Sequence, residues 1–399
     1  MLSAPSASRG TSPLVVQCLV FASFAAPLAM YGAAWPDARS LFDQSSAALG
    51  TVATAYGIGR MATSASALAV LSRVHVRPAT TALCLVLAAV DVLISSTRSF
   101  PVLLAAVGTV GLLSGVLDSL GNRYQTVVRD MRRAGLMFGA YGLGATLGPA
   151  LISITSWRVG FLAAAVVALA AAAAAANPAV GWPDGLAEGS RRDRRARSAG
   201  PVRFDGRAVA LSLALAGTFV GLEALTGNWM ATYFEDHRGS SGRAAGLAVS
   251  GFWAGVTVGR LGLSRVRGSA ARVLIWGSVA VVGAYALIPV LPTPAALPAL
   301  AGAGVVLSVI LPTVLSTTAD RVGRVAAGRV SGWQLVAANS AAITLIALVG
   351  VSVSRWGGGI PMIALMVLAV LGVPLCWSAA RRQETAPAEP RADPVAPPA

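Results

Sequence analysis

Long apolar runs are the feature of this 399-residue sequence that most restricts its fold. Runs of about 18 residues or more recur from Leu14 to Trp377, and a helix of that length crosses a hydrocarbon core of about 30 Å. Hydrophobic residues make up 55% of the chain and charged residues 12%, with a mean hydropathy of +0.70. That is too little charge to cover the surface of a soluble protein. The sequence therefore predicts an all-α polytopic membrane protein.

The apolar runs predict twelve transmembrane helices in two sets of six. The first set is expected near residues 14–34, 46–70, 79–97, 101–122, 135–155 and 158–177, and the second near 207–235, 245–264, 271–291, 295–318, 325–350 and 358–379. A polar stretch with the run RRDRRAR separates the two sets. The predicted segments are a disordered N-terminus (1–13), a first six-helix half (14–177), a basic linker (178–206), a second six-helix half (207–379) and a disordered tail (380–399).

The basic residues predict the orientation of the chain. All 31 are arginines, and the net charge is +15. In a soluble protein such a charge would suggest a nucleic-acid partner. Here most of the arginines fall in connections on the same side of the membrane as both termini, which is the positive-inside pattern. We therefore expect a multi-pass protein of the cell membrane with both termini in the cytoplasm and no nucleic-acid partner.

The sequence offers no pattern typical of a cofactor, a metal or an enzyme active site. Cys18, Cys84 and Cys376 fall in three different spans, without the spacing of a disulfide or a metal site. A phosphate-binding Gly-x4-Gly-Lys-Ser/Thr loop is missing from the sequence. Both histidines, His75 and His237, fall in predicted connections, which counts against an intramembrane enzyme. We expect no cofactor, no metal and no enzymatic activity.

The two halves of the chain are weakly related in sequence. Trp35 and Trp229 each close the first span of their half, and a Gly-Arg pair recurs in both second spans, ending at Arg60 and Arg260. Two related six-helix halves predict a substrate site near the middle of the membrane, where the halves meet.

Several motifs carry a family resemblance. They are FVGLEALTGNW (219–229), SGFWAGVTVGR (250–260), the pair Asp118 and Asn122 in the fourth span, YGLGATLGPAL (141–151) and LPTVLS (311–316). Together they resemble the major facilitator superfamily over the whole membrane region, and its fucose-permease-like branch in particular. The resemblance implies two pseudo-symmetric halves that rock around a central cavity. The chain departs from the pattern at Ser72 and His75 in the connection after the second span, and at Phe138, where the branch often has histidine.

Two carboxylates are predicted to couple transport to protons. Glu223 lies about halfway along its span, and burial raises the pKa of a carboxyl group enough to let it bind and release a proton. The alternative is a hydrogen-bonded glutamate that only joins two helices. The resemblance gives Asp118 a similar role, although its place near the inner end also allows it to form part of an inner gate with Arg123 or Arg129.

Five uncharged polar or aromatic residues are predicted to bind the substrate. An aromatic ring beside hydrogen-bonding groups suits a sugar-like or ring-bearing ligand. The alternatives are an interfacial anchor for the tryptophan and hydrogen bonds between helices for the amides. The five residues are Asn228, Trp229, Asn122, Gln334 and Asn339.

Arg60 and Asp91 are predicted to form an intramembrane ion pair. They lie at similar depths on consecutive spans, and mutual pairing offsets the cost of burying either charge. The alternative places Arg60 in the cavity, bound to an anionic substrate. Arg260 lies nearer the inner end, where its side chain can reach the interface, so we interpret it as structural.

These observations predict a secondary active transporter that moves a small polar solute, sugar-like or another metabolite, by alternating access with proton coupling. Export of a drug or metabolite stays open, because the glycine pattern from Gly135 to Pro149 is similar to that of drug/proton antiporters. That pattern lacks the final Gly-Gly, and the sequence does not separate import from export. A non-transporting membrane sensor is the alternative of another class. The expected partners are the solute, protons and the lipid bilayer, and the expected state is a monomer.

Overall fold

The computed structural model describes residues 12–71, 75–128, 131–182, 204–262 and 269–384. Most of the predicted basic linker, most of both predicted tails and Ser72 lie outside these residues. The described chain forms long helices joined by short connections.

Twelve long helices make up the described bundle. They are α1 Pro13–Leu41, α2 Ala48–Leu71, α3 Val76–Ser96, α4 Phe100–Val128, α5 Met131–Ile154, α6 Trp157–Ala176, α7 Gly206–Thr232, α8 Gly242–Gly262, α9 Ala270–Val290, α10 Thr293–Ser316, α11 Arg324–Trp356 and α12 Ile360–Glu384. A π-helical turn at Tyr233–His237 extends α7, and a five-residue helix at Thr318–Val322 precedes α11. Counted over the described residues, eleven helices are long and apolar enough to cross a membrane. The predicted all-α membrane fold is confirmed.

The helices pack as two related halves. In the first half α1 packs on α5, α2 on α4 and α3 on α6. In the second half the equivalent pairs recur, since α7 packs on α11, α8 on α10 and α9 on α12. The halves meet through α2 against α11, α5 against α8 and α1 against α7. The contact of α2 with α11 and the contact of α5 with α8 are related by the pseudo-symmetry of the two halves.

Local sequence signals explain where several helices begin. The hydroxyl of Ser12 accepts from the backbone N–H of Leu14, and Pro13 occupies the first turn of α1. The Asp205 carboxylate caps α7 in the same way, accepting from the N–H groups of Arg207 and Ala208. These caps satisfy backbone donors that a helix leaves unpaired at its start.

Small residues bring the two halves into close contact at one end of the bundle. The end at which α1 begins and α12 ends is here named the terminal end, and the other is the opposite end. A Cβ added to Gly32 of α1 would lie 2.5 Å from the Cα of Asn228 of α7. One added to Gly50 of α2 would lie 3.3 Å from the Cα of Ala347 of α11. Both contacts lie toward the opposite end, where the backbones of the two halves meet closely.

An ion pair also joins the halves at the opposite end. Arg39, in the last turn of α1, donates from Nη1 and Nη2 to the two carboxylate oxygens of Asp236, at 3.0 and 2.9 Å. Ser46 donates to the same carboxylate at 2.8 Å. Because Asp236 lies in the turn after α7, this cluster of Arg39, Ser46 and Asp236, here named the latch, connects the first half to the second.

Candidate functional site

A cavity of about 210 Å³ lies between the two halves of the bundle. Helices α1, α2 and α5 contribute to its wall from the first half, and α7, α8, α10 and α11 from the second. The wall combines aliphatic side chains with a set of polar and aromatic ones. That set is Tyr31, Tyr56, Arg60, Tyr141, Glu223, Asn228, Trp253, Arg260 and Asn339.

Glu223 lines the cavity and is paired with Arg260. One terminal nitrogen of the Arg260 guanidinium, Nη2, donates to both carboxylate oxygens of Glu223, at 2.9 and 3.1 Å. The side chains are 15% exposed for Glu223 and 24% for Arg260. The expectation that the side chain of Arg260 reaches the interface was wrong, because it lines the cavity and pairs with Glu223. It turns toward α7 because α8 packs against that helix, and pairing with a carboxylate offsets its desolvation.

Arg60 is paired with Asp118, and the predicted pair with Asp91 was wrong. Nη2 of Arg60 lies 2.8 Å from the Asp118 carboxylate, and Asn122 donates to the other oxygen of that carboxylate at 3.4 Å. Helix α2 packs face to face with α4, because Gly59 of α2 lies against the backbone of Gly108 of α4. That contact directs Arg60 toward α4. Similar depth on neighbouring helices does not decide which helix a side chain faces.

Asp91 does not line the cavity, although it interacts electrostatically with Tyr31, which does. Its side chain is fully buried, and neither carboxylate oxygen has a hydrogen-bond partner among the described residues. It belongs to the buried face of α3, together with Cys84, Leu87 and Ile94. Helix α3 packs mainly on α6, whereas α2, which carries Arg60, packs on α4.

Tyr141 of α5 connects the two ion pairs within the cavity. It interacts electrostatically with Arg60 of the first half and with Glu223 and Arg260 of the second. Tyr56 lies beside Arg60, whose Nη1 is 3.5 Å from the Tyr56 hydroxyl. The cavity therefore brings two guanidinium groups from different halves near the same phenol.

The predicted substrate residues separate into two groups. Asn228 and Asn339 line the cavity, and each donates to a carbonyl of its own helix, at 2.8 and 2.9 Å. Asn122 is exposed and reaches the site only through its hydrogen bond to the Asp118 carboxylate.

Trp229 and Gln334 do not line the cavity, which corrects their predicted role as substrate-binding residues. Trp229 is fully buried and lies against Gly350 of α11. Gln334 is also fully buried, accepting from the hydroxyl of Thr318 at 3.0 Å and donating to the Ser212 carbonyl at 3.3 Å. Both positions point between helices of the second half, because α7 packs on α11 there.

Five polar or aromatic cavity residues, Tyr31, Tyr56, Tyr141, Trp253 and Arg260, were not predicted from the sequence as site residues. Arg260 repeats the Gly-Arg pair of Arg60, and this repeat was a usable signal for a cavity role. Trp253 lies in the motif SGFWAGVTVGR, packs against Gly227 and has no hydrogen-bond partner for its Nε1 among the described residues. Tyr141 is the first residue of the motif YGLGATLGPAL, whereas Tyr31 and Tyr56 occur in apolar spans without a distinguishing pattern.

The sequence matches the family model of the Major Facilitator Superfamily over residues 17–347. The chain belongs to the major facilitator superfamily. Membership agrees with the observed arrangement of twelve long helices in two related halves, and it indicates a multi-pass membrane transporter of small solutes rather than an enzyme. A search of curated protein sequences gives no match.

Solved structures of other transporters share this superfamily fold. A crystal structure of the nucleoside transporter NupG superimposes with a TM-score of 0.68 at 14% identity, covering 92% of this chain and 98% of that one. A crystal structure of a D-xylose-proton symporter gives a TM-score of 0.66 at 14% identity, covering 91% and 96%. At this identity the likeness establishes the fold alone. The fucose-permease-like branch stays a prediction.

Proposed function

We propose that this superfamily member is a secondary active transporter that moves a small polar solute across the membrane by alternating access, coupled to protons. The observation that carries the proposal is the Glu223–Arg260 pair in the wall of the cavity between the halves. A carboxylate at this depth is costly in a membrane and is usually functional.

The pair supports proton coupling because it has two distinct electrostatic states. With Glu223 ionised, the carboxylate and the Arg260 guanidinium attract each other across the α7–α8 boundary. A proton on Glu223 removes most of that attraction and leaves Arg260 available to another acceptor. Occupancy of the cavity and protonation of Glu223 are therefore linked, which is the requirement for coupling a solute to a proton gradient.

The contacts between the halves support alternating access. The latch and the crossing of Gly32 with Asn228 join the halves at the opposite end. Both are polar or small-residue contacts rather than a large apolar interface, so they can separate when the halves rock. This arrangement agrees with the state of an alternating-access cycle in which the opposite end is closed.

The cavity favours a small polar solute over a drug. Sites for drug-sized ligands typically enclose about 300–1,000 Å³, and this cavity of about 210 Å³ is smaller. Its wall also presents two ion pairs and the amides of Asn228 and Asn339, which suit a ligand with several hydrogen-bonding groups.

The remaining expectations belong to the same proposal. They are a cell-membrane location with both termini in the cytoplasm, a monomeric state without a nucleic-acid partner, and the division into halves at 14–177 and 207–379 around the linker 178–206.

The test is solute-driven proton movement in liposomes that contain the purified full chain and a trapped pH dye. The solute panel includes D-xylose, a nucleoside and small organic acids, each added with and without an imposed proton gradient. We expect at least one solute to move protons and to accumulate against its own gradient. Glu223→Gln should abolish accumulation and retain solute exchange, while the control Asp43→Asn, which changes an exposed carboxylate outside the cavity wall, should transport normally. Accumulation by Glu223→Gln would remove Glu223 from the coupling role.

A further inference from the structure

The two arginines of the cavity are the pseudo-symmetric element of the site. Arg60 of α2 and Arg260 of α8 each follow a glycine that lies against a neighbouring helix, and each helix holds the same place in its half. Their carboxylate partners do not repeat, because Asp118 comes from α4 and Glu223 from α7. The repeated feature of the cavity is therefore a guanidinium, with a counter-charge supplied differently in each half.

Two further buried groups in the cavity wall lack a hydrogen-bond partner among the described residues. They are Nε1 of Trp253 and the hydroxyl of Tyr31, in side chains that are 6% and 5% exposed. An indole N–H can only donate, and a phenol can donate. Buried donors without partners are costly, so a bound solute that accepts hydrogen bonds would stabilise both. The cavity wall therefore presents two buried groups, the Trp253 indole and the Tyr31 hydroxyl, that can each donate a hydrogen bond to a solute.

Without a bound solute, the charges of the two ion pairs are balanced while both carboxylates stay ionised. Two guanidinium groups face two carboxylates in the wall or next to it, and the sum is zero. A neutral sugar could enter without changing this balance. A bound anion adds one negative charge to a poorly solvated site, and a proton on Glu223 restores neutrality. The same proton releases the guanidinium of Arg260, which is the group that binds a carboxylate best.

We propose that the transported solute is a small hydroxylated organic acid whose carboxylate replaces that of Glu223 on Arg260. The inference rests on the proposed function, since it names the substrate class of the same cavity. One proton from solution bonds to a Glu223 carboxylate oxygen, and the acid's carboxylate then accepts the hydrogen bonds that Arg260 gave to Glu223. The net charge of the site is zero before and after the exchange. Trp253 and Tyr31 donate to the remaining oxygens, and Asn228 and Asn339 bond the hydroxyl groups.

The test compares acids with uncharged twins of similar shape. Purified protein is titrated calorimetrically with D-glucuronate against D-glucose, D-gluconate against D-glucitol, and L-lactate against propane-1,2-diol, in two buffers of different ionisation enthalpy. We expect at least one acid to bind at least about tenfold more tightly than its twin, which is about 1.4 kcal/mol, with uptake of one proton per acid bound. Equal or tighter binding of the twins, no binding of any acid, or acid binding without proton uptake would overturn the inference.

Variants separate the role of Arg260 from effects on folding. The double variant Arg260→Gln with Glu223→Gln removes both charges together, so it leaves no unpaired charge in the membrane. We expect it to keep the wild-type melting behaviour and to lose acid binding by about tenfold or more, while Arg243→Gln, an exposed arginine on the same helix, binds normally. Undiminished acid binding by the double variant would also overturn the inference.

Transport measurements distinguish a failure of the organic-acid inference from a failure of the proposed function. Proton-driven accumulation of a neutral solute that depends on Glu223 would keep the proposed function and reject the organic acid. Failure of every solute, charged or neutral, to move protons in liposomes would reject both.

Discussion

One terminal nitrogen of Arg260 donates to both carboxylate oxygens of Glu223, at 2.9 and 3.1 Å, and so joins α8 to α7 in the wall of the cavity. The contact is less than a quarter exposed on either side. A pair in this position holds two helices of one half together, and it is broken whenever either charge is removed. Its stability and its function are therefore linked.

The first prediction concerns the cost of breaking this pair. Arg260→Gln alone leaves the Glu223 carboxylate unpaired at membrane depth, and we expect it to lower the stability by about 2 kcal/mol. Adding Glu223→Gln should restore most of the loss, because no charge is then left without a partner. Thermal melting of the purified variants in one detergent checks this. A double variant as unstable as Arg260→Gln would show that the pair contributes little.

The second prediction distinguishes the two possible partners of Arg60. Arg60→Gln should lower the melting temperature, because the Asp118 carboxylate loses its guanidinium partner at 2.8 Å. Asp118→Asn in the same chain should recover the melting temperature, and Asp91→Asn should not, because Asp91 lies on the face of α3 that packs on α6. Rescue by Asp91→Asn instead would support the pair expected from the sequence.

The fold was predictable because it depends on one-dimensional patterns. Apolar length alone located the spans, and a capping Ser12 before Pro13 marks the start of α1 within a residue or two. The depth of Glu223 along its span was also predictable, because the rise of a helix per residue is fixed.

The partners within the site were less predictable, because a side chain's direction depends on which helices pack together. Similar depth and consecutive order along the chain predicted Asp91 of α3 as the partner of Arg60, but neither shows which helix packs on α2. A better signal is present: Gly108, Gly111 and Gly115 on α4 are spaced to lie on one helical face, and each meets α2 in the structure. That stripe would have predicted α4 as the neighbour of α2.

The third prediction concerns the latch. Asp236→Asn weakens both hydrogen bonds from Arg39 by removing their charge, so the halves should separate more often at the opposite end. In a cysteine-free chain that carries Ala53→Cys in the cavity wall, a membrane-impermeant maleimide added from the opposite side should react faster. The control is Asp43→Asn, an exposed carboxylate at the same end whose positive φ of 51° suits asparagine. Equal rates for Asp236→Asn and wild type would contradict a gating role for the latch.

The fourth prediction concerns a buried arginine at the terminal end. Arg321 is 5% exposed and donates to the hydroxyls of Ser212 and Thr317, at 3.0 and 2.6 Å, and to the carbonyl of Val314 at 2.5 Å. Arg321→Met should lower the stability by about 2 kcal/mol, because these acceptors lose their donor. The exposed Arg355→Met serves as the control.

Burial lowers the pKa of Arg321 to about 10. The pKa of Arg321 is therefore lower in the folded state than in the unfolded state. The unfolded state binds more protons only at pH values between these two pKa values, so the titration of Arg321 makes the free energy of unfolding rise with pH only in that alkaline window. Arg321 stays charged below it. The difference in melting temperature between wild type and Arg321→Met should therefore be the same at pH 6 and pH 8, and a difference that vanishes within this range would contradict the assignment.

The fifth prediction tests whether the crossing of α1 and α7 closes the opposite end. A Cβ on Gly32 would lie 2.5 Å from both the Cα and the carbonyl oxygen of Asn228, closer than real contacts allow, and the atoms it meets are backbone. Gly32→Ala should therefore disfavour the closed opposite end, in the same direction as Asp236→Asn, and raise the rate of maleimide labelling at Ala53→Cys. Gly302→Ala on α10 adds the same methyl group where no atom lies within 4 Å, so it should label as wild type. Gly32 carries no charge, so faster labelling of Gly32→Ala would show that packing of the two halves closes the opposite end together with the latch. An unchanged labelling rate with normal melting would show that α1 and α7 do not form the gate.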